Sequence, residues 1–153
     1  MHSFSQIYIM AVFGVKYRLG LIMPPWREQL YAAIGQTLSD IEGVKPIKIG
    51  GVADHVHVLF STRGAVPENE IIRHMKTESS LWVNKKRLVQ GKFAWQDGSG
   101  RMSYSHSALP DVIRYIANQE EHHKRMSFRE EYENWLKNLG IDYTKFDLPE
   151  EAQ

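Results

Sequence analysis

Residues 50–60 read GGVADHVHVLF, and this stretch constrains the fold more than any other in the chain. On an extended backbone, successive side chains point to opposite faces of a sheet. Val56, Val58 and Phe60 therefore share one face, while His55, His57 and Leu59 share the other. The strand aims two imidazoles side by side out of what is otherwise core. With Cβ atoms about 7 Å apart, two such rings can converge on one divalent ion. They can equally be two polar residues at a sheet margin, each hydrogen-bonded to a neighbour. Two ligands do not make a metal site, so a third has to come from elsewhere.

The rest of the chain supplies a sheet and helices around that strand. SQIYIMAVFGVKYR alternates, with Ile7, Ile9, Ala11, Phe13 and Val15 on one face, and predicts a buried first strand. PPWREQLYAAIGQTLSDIEG has proline at its entrance, apolar residues at helical spacing and Gly43 at its exit, the punctuation of a helix. Val44 to Ile49 predicts a second strand near an edge, because of Pro46, and Gly50-Gly51 is expected to turn the chain into the His-bearing strand, Val52 to Ser61. A second helix is expected after Pro67, a fourth strand at RMSYSHS and a third helix over LPDVIRYIANQEEHH. SFREEYENWLKNLG opens with a Ser127/Glu130 capping box and ends at Gly140, which predicts a separate fourth helix. The order βαββαβαα implies an α+β fold: a ferredoxin-like antiparallel sheet with helices packed on one face.

The 153 residues suit one domain, expected over residues 1–140, followed by an acidic tail over 141–153. The absence of cysteine excludes disulfides, thiolate catalysis and Cys-ligated zinc. The longest apolar run, Ile7 to Val15, is too short to span a bilayer, so a cytoplasmic location without membrane contact is expected. Net charge is +1, but residues 1–129 hold 17 Lys/Arg against 11 Asp/Glu and residues 130–153 hold 2 against 7. A basic body with an acidic ending is compatible with a polyanionic partner.

The third helix offers the missing ligand. Tyr115 and Gln119 are four apart and lie on one helical face. If that face packs across the His strand, Gln119 completes a His-His-Gln site and the Tyr115 phenol sits beside the ion. Taken singly, a helical tyrosine is usually a rim or core residue and a glutamine is usually solvated. Two neutral imidazoles and a neutral amide leave an ion's full double charge to act on a phosphodiester. Attack by the phenol would then store the bond energy of the broken strand as a phosphotyrosine. Adjacent helical residues point about 100° apart, so His122 and His123 are not expected to share an ion; one of them reads as hydrogen-bonding or phosphate-facing. His74 and His106 are given no role.

DHVHVLF followed by VIRYIANQEEHH resembles the HUH single-tyrosine transposases, of the IS-two-hundred-like insertion-sequence kind and their REP-associated relatives. SQIYIMAVFGVK, MKTESSLWVNKK, FAWQDGSGRMSYSHS and the closing helical segment extend the resemblance along nearly the whole chain. It implies single-stranded DNA hairpins as substrate, a homodimer with active sites that can be shared between subunits, and Mg²⁺ or Mn²⁺ as cofactor. It also implies His55, His57 and Gln119 as metal ligands and Tyr115 as the nucleophile that takes the 5′-phosphate.

Along the second helix Arg73, Lys76, Ser80, Asn84 and Arg87 recur every three or four residues opposite the apolar face, and Lys85 adds charge. All can donate to phosphate oxygens, and Trp95 could stack on an unpaired base. A solvated helix face with Trp95 in the core is the competing reading, and Glu70 and Glu78 weigh towards it. Two further functions stay open beside strand transfer. One is a non-cleaving or domesticated hairpin-binding protein; the other is a metal-dependent phosphodiesterase that uses water.

Overall fold

The structure is a computed structural model and describes residues 2–144 and 147–149. Four strands form one antiparallel sheet: β1 (Ile7–Gly14), β2 (Val44–Val52), β3 (His55–Thr62) and β4 (Gly100–Tyr104), in the order β2-β3-β1-β4. Five helices surround it: α1 (Pro24–Ser39), α2 (Glu68–Lys85), α3 (Leu109–Ala117), α4 (Gln119–His123) and α5 (Phe128–Asn138). This is the α+β architecture expected from the sequence, with the expected helix at 109–123 divided in two.

The alternation of β1 and β3 gives each sheet face its own partners. Ile9, Ala11, Phe13, Val56, Val58 and Phe60 join Leu30, Ile34 and Leu38 of α1 and Ile71, Met75 and Val83 of α2 in the main apolar core. The opposite face carries Met10 and Leu59, which pack with Leu109, Val112 and Ile116 of α3 in a smaller cluster. Helices on one face thus describes α1 and α2; α3 covers the other, because the second half of each alternation also needs burial.

Gly50 and Gly51 do not turn the chain. They lie inside β2, opposite His57 and Val56 of β3, and the tight turn falls at Ala53-Asp54. The reason is space. A Cβ on Gly50 would stand 2.8 Å from the Ile116 carbonyl oxygen, so α3 rests directly on the backbone of β2. Gly14, opposite His55 on the other side, serves the same end: a Cβ there would stand 3.1 Å from the Phe128 ring. Each histidine therefore has a glycine as one lateral neighbour, and helix residues occupy the freed volume.

The helix break is at Asn118, whose backbone (φ −99°, ψ 20°) leaves the α-helical region. Beyond it, α5 begins as expected: the Ser127 hydroxyl accepts from the Glu130 backbone N–H, capping the first turn. Leu139 ends the helix and Gly140 follows at φ 69°. Of the expected acidic tail, residues 145, 146 and 150–153 lie outside the described residues. Among the described residues, no helix is long and apolar enough to cross a membrane.

Candidate active site

His55 and His57 are fully buried on the face of β3 that α3 covers, with ring centroids 5.2 Å apart. His55 is held from two directions, one of them braced from behind. Its Nδ1 lies 2.7 Å from Asp54 Oδ1, its ring stacks on Phe128 at 4.1 Å with an interplanar angle of 3°, and Asp54 is itself gripped by Arg18. Arg18 reaches Asp54 from a 3-10 turn at 16–18, where both Tyr17 and Arg18 adopt positive φ.

The protonation of this group follows from its surroundings. Burial would raise the Asp54 carboxyl, but the bonds from His55 and Arg18 outweigh it and bring its pKa to about 2. Burial pushes His55 down to about 4 despite Asp54. At neutral pH an ionised Asp54 therefore accepts the Nδ1 proton of a neutral His55, and Nε2 is left as a lone pair. Burial also lowers His57, against the pull of Glu131.

That lone pair faces the residues from α3 and α4. Gln119 is 1% exposed, and its Oε1 lies 3.4 Å from His55 Nε2, while its Nε2 donates to the Tyr115 carbonyl oxygen. The Tyr115 ring sits edge-on to His57, 5.6 Å between centroids. The four residues expected from the sequence to act together are within one site of a single chain.

Three more residues lie there as well: Glu131, to which the sequence assigns no role, and His122 and His123, one of which it reads as hydrogen-bonding or phosphate-facing. Glu131, 2% exposed on α5, accepts a hydrogen bond from the Tyr115 hydroxyl through Oε2. His122 Nε2 and His123 Nε2 stand 2.8 and 3.3 Å from the same oxygen. Glu131 Oε1 stands 3.4 Å from His57 Nε2 and 3.9 Å from His55 Nε2. Burial would raise this carboxyl, but His123, His57 and Tyr115 hold it below the ordinary carboxylate range. Burial, and then the charge of Glu131, pushes the Tyr115 phenol above its ordinary value. Although His122 and His123 are adjacent in sequence, both therefore reach one carboxylate. The available signal was spacing: His123 lies four residues after Gln119, just as Gln119 lies four after Tyr115.

One ligand atom from each of His55, His57, His123 and Glu131 lies within 4.8 Å of the others, and this group could bind a metal ion. Its donors are also poorly satisfied. Among the described residues, both nitrogens of His57, Nε2 of His123 and Oε1 of Glu131 are buried without a hydrogen-bond partner. Buried polar atoms in folded proteins are nearly always paired, so such a concentration calls for a ligand.

The residues proposed for DNA contact on α2 lie elsewhere. Their helix packs on the α1 side of the sheet, away from the histidines. Trp95 is not free to stack on a base: it is 7% exposed, edge-on to Phe13 and Phe93, and its indole N–H donates to Ser79. Asn84 is bonded through both amide atoms to the Phe93 backbone, and Lys76 donates to the carbonyls of Gln96 and Gly98. Ser80 donates to the Thr77 carbonyl, and Arg73 pairs with Glu70. Lys85 and Arg87 stand exposed at the end of the helix. Side-chain groups read as phosphate donors thus fasten the 93–98 loop, which periodicity on the helix alone does not reveal.

The profile of the family described as "Transposase IS200 like" matches residues 3–119, more than half of the chain. Among curated proteins, none matches the chain by sequence. Two solved structures share its fold. A chain from Deinococcus radiodurans, described only as a candidate transposase, superimposes with a TM-score of 0.62 at 16% identity, over 78% of this chain and 95% of that one. A REP-associated tyrosine transposase bound to a REP hairpin gives 0.60 at 12% identity, over 80% and 72%. With the histidine pair, the tyrosine and the glutamine gathered on the sheet face that α3 covers, the protein belongs to the IS200-like transposase family.

Proposed function

We propose that this protein is a metal-dependent single-tyrosine transposase that cuts and rejoins single-stranded DNA at hairpin-bearing ends. The observation that carries the reading is the convergence of Tyr115 and Gln119 with His55 and His57 inside one chain. Residues 1–140 form the catalytic domain, and a hairpin-bound structural relative supports hairpin DNA as the substrate. A homodimer acting in the cytoplasm completes the proposal.

His55, His57 and Gln119 would hold a divalent ion, Mg²⁺ or Mn²⁺. Bound there, the ion supplies a Lewis acid and template for a phosphodiester. The chain does the rest. The Tyr115 hydroxyl gives up its proton and its oxygen forms a bond to phosphorus as the bond to the 3′-oxygen breaks; that departing oxygen takes up one proton, so none is gained or lost overall. The 5′-phosphate remains on Tyr115 as a phosphotyrosine. Attack by a later 3′-hydroxyl reverses these changes, joins the new ends and returns the phenol.

A second reading, hairpin binding without cutting, draws on the engagement of the Tyr115 hydroxyl by Glu131. One experiment separates the two. The protein is mixed with hairpin ends from the DNA flanking its gene and with Mg²⁺ or Mn²⁺, then run on a denaturing gel. A covalent protein–DNA adduct that disappears in Tyr115→Phe is expected. Hairpin binding with no adduct in either metal would establish the second reading instead.

A further inference from the structure

Three ligand atoms face one another at the centre of the site. His55 Nδ1 lies 2.7 Å from Asp54 Oδ1, which leaves Nε2 aimed at the centre. Gln119 Oε1 is 3.4 Å from it and Glu131 Oε1 is 3.9 Å from it. The Gln119 amide cannot simply be reversed, since its Nε2 already donates to the Tyr115 carbonyl. The ligand atoms of His55, His57, His123 and Glu131 all lie within 4.8 Å of one another, so one ion can reach all four. Glu131 Oε2 lies 3.3 Å from His123 Nε2, and Glu131 Oε1 lies 3.4 Å from His57 Nε2.

α5 is built to deliver this carboxylate. Ser127 caps its start, Phe128 stacks beneath His55, and Glu131 follows three residues later on the same helical face. Both His123 and Glu131 lie beyond residue 119, where the family match ends.

We infer that His123 and Glu131 are ligands of the same ion as His55, His57 and Gln119, and that this site selects an imidazole-binding transition-metal ion such as Mn²⁺ or Co²⁺ over Mg²⁺. The inference rests on the metal-dependent reading above and deepens it. Mg²⁺ takes oxygen ligands and retains its waters, whereas imidazole nitrogen suits transition metals. Three imidazoles in a dry pocket discriminate against Mg²⁺ by donor type, and the Glu131 charge adds attraction for any cation.

The test uses the full chain, stripped of metal and free of DNA, so that binding is read apart from cleavage. Free Mn²⁺ is followed by electron paramagnetic resonance, Mg²⁺ by competition, and Co²⁺ by its visible absorption. Mn²⁺ is expected to bind at least about tenfold tighter than Mg²⁺, and Glu131→Gln and His123→Gln each to weaken Mn²⁺ at least about tenfold. Glu131→Asp, which keeps the charge, should retain part of the affinity, and the exposed control Glu130→Gln should retain all of it. Circular dichroism verifies that each variant is folded. Folded Glu131→Gln and His123→Gln proteins that bind Mn²⁺ like the parent overturn the inference, as does equal affinity for Mg²⁺ and Mn²⁺. In either case the transposase reading still stands or falls on the covalent adduct.

Discussion

The two faces of β3 are made by alternate residues of one strand and behave in opposite ways. Val56, Val58 and Phe60 enter a continuous apolar core between the sheet and helices α1 and α2. His55 and His57 enter a pocket where buried nitrogen and oxygen atoms lack partners. The dry face holds the sheet together, and the polar face spends some of that stability on chemistry. A fold can carry unsatisfied donors on one side only if the other side is secure.

The largest expected effect is on the polar face. Tyr115→Phe should abolish the DNA adduct and cost about 1–3 kcal/mol of stability, because the ring contacts remain but the bond to buried Glu131 is lost; a residual adduct on the gel would break the contrast. On the dry face, Phe60→Ala should lower unfolding free energy by about 3–5 kcal/mol, as for other buried aromatic truncations. Urea denaturation measures it, and a loss below 1 kcal/mol would show that this face is not the structural one. Gly50→Ala couples the two faces. Its new methyl meets the Ile116 carbonyl and should cost about 1–3 kcal/mol, with a larger proportional loss of cleavage as α3 is displaced.

Smaller effects sharpen the comparison. The metal-free protein should lose stability as pH falls from 6.5 to about 4, because the unfolded chain protonates His55 in that window while the folded chain excludes the proton. Asp54 continues the loss from 3.8 towards about 2, as folded-state bonds to its carboxylate are given up. A denaturation midpoint flat between pH 7 and 5 in the presence of chelator would contradict this. The smallest effect belongs to α2. Replacing Lys85 and Arg87 by alanine should weaken hairpin binding a few-fold and flatten its salt dependence, without touching metal affinity.

What the sequence made legible was whatever depended on local period. The two-residue rhythm of DHVHVLF located both imidazoles, and the four-residue step from Tyr115 to Gln119 located the helix face that meets them. The antiparallel pairing of the sheet followed from the ferredoxin-like reading of element order. The missed features are set by tertiary contacts. Glu131 reads as one more carboxylate on an acidic helix until α5 folds back across α4. Adjacency on a helix argues against His122 and His123 sharing a partner, yet both stand within 3.3 Å of one Glu131 oxygen. Trp95 is in a loop by pattern, but its pairing with Val15 and the Lys76 clasp carry it into the core. The glycine pair has turn composition, and only the nearness of α3 shows what the missing side chains make room for.

The hairpin between β2 and β3 closes with only Ala53 and Asp54 at its tip, and β1 locks the far side of β3 in the same alignment. A one-residue slip of β3 against its neighbours would exchange valine for histidine along the entire strand. The same alternation fills the apolar core and aims the imidazoles, so the geometry of the site and foldability would be lost together rather than one before the other.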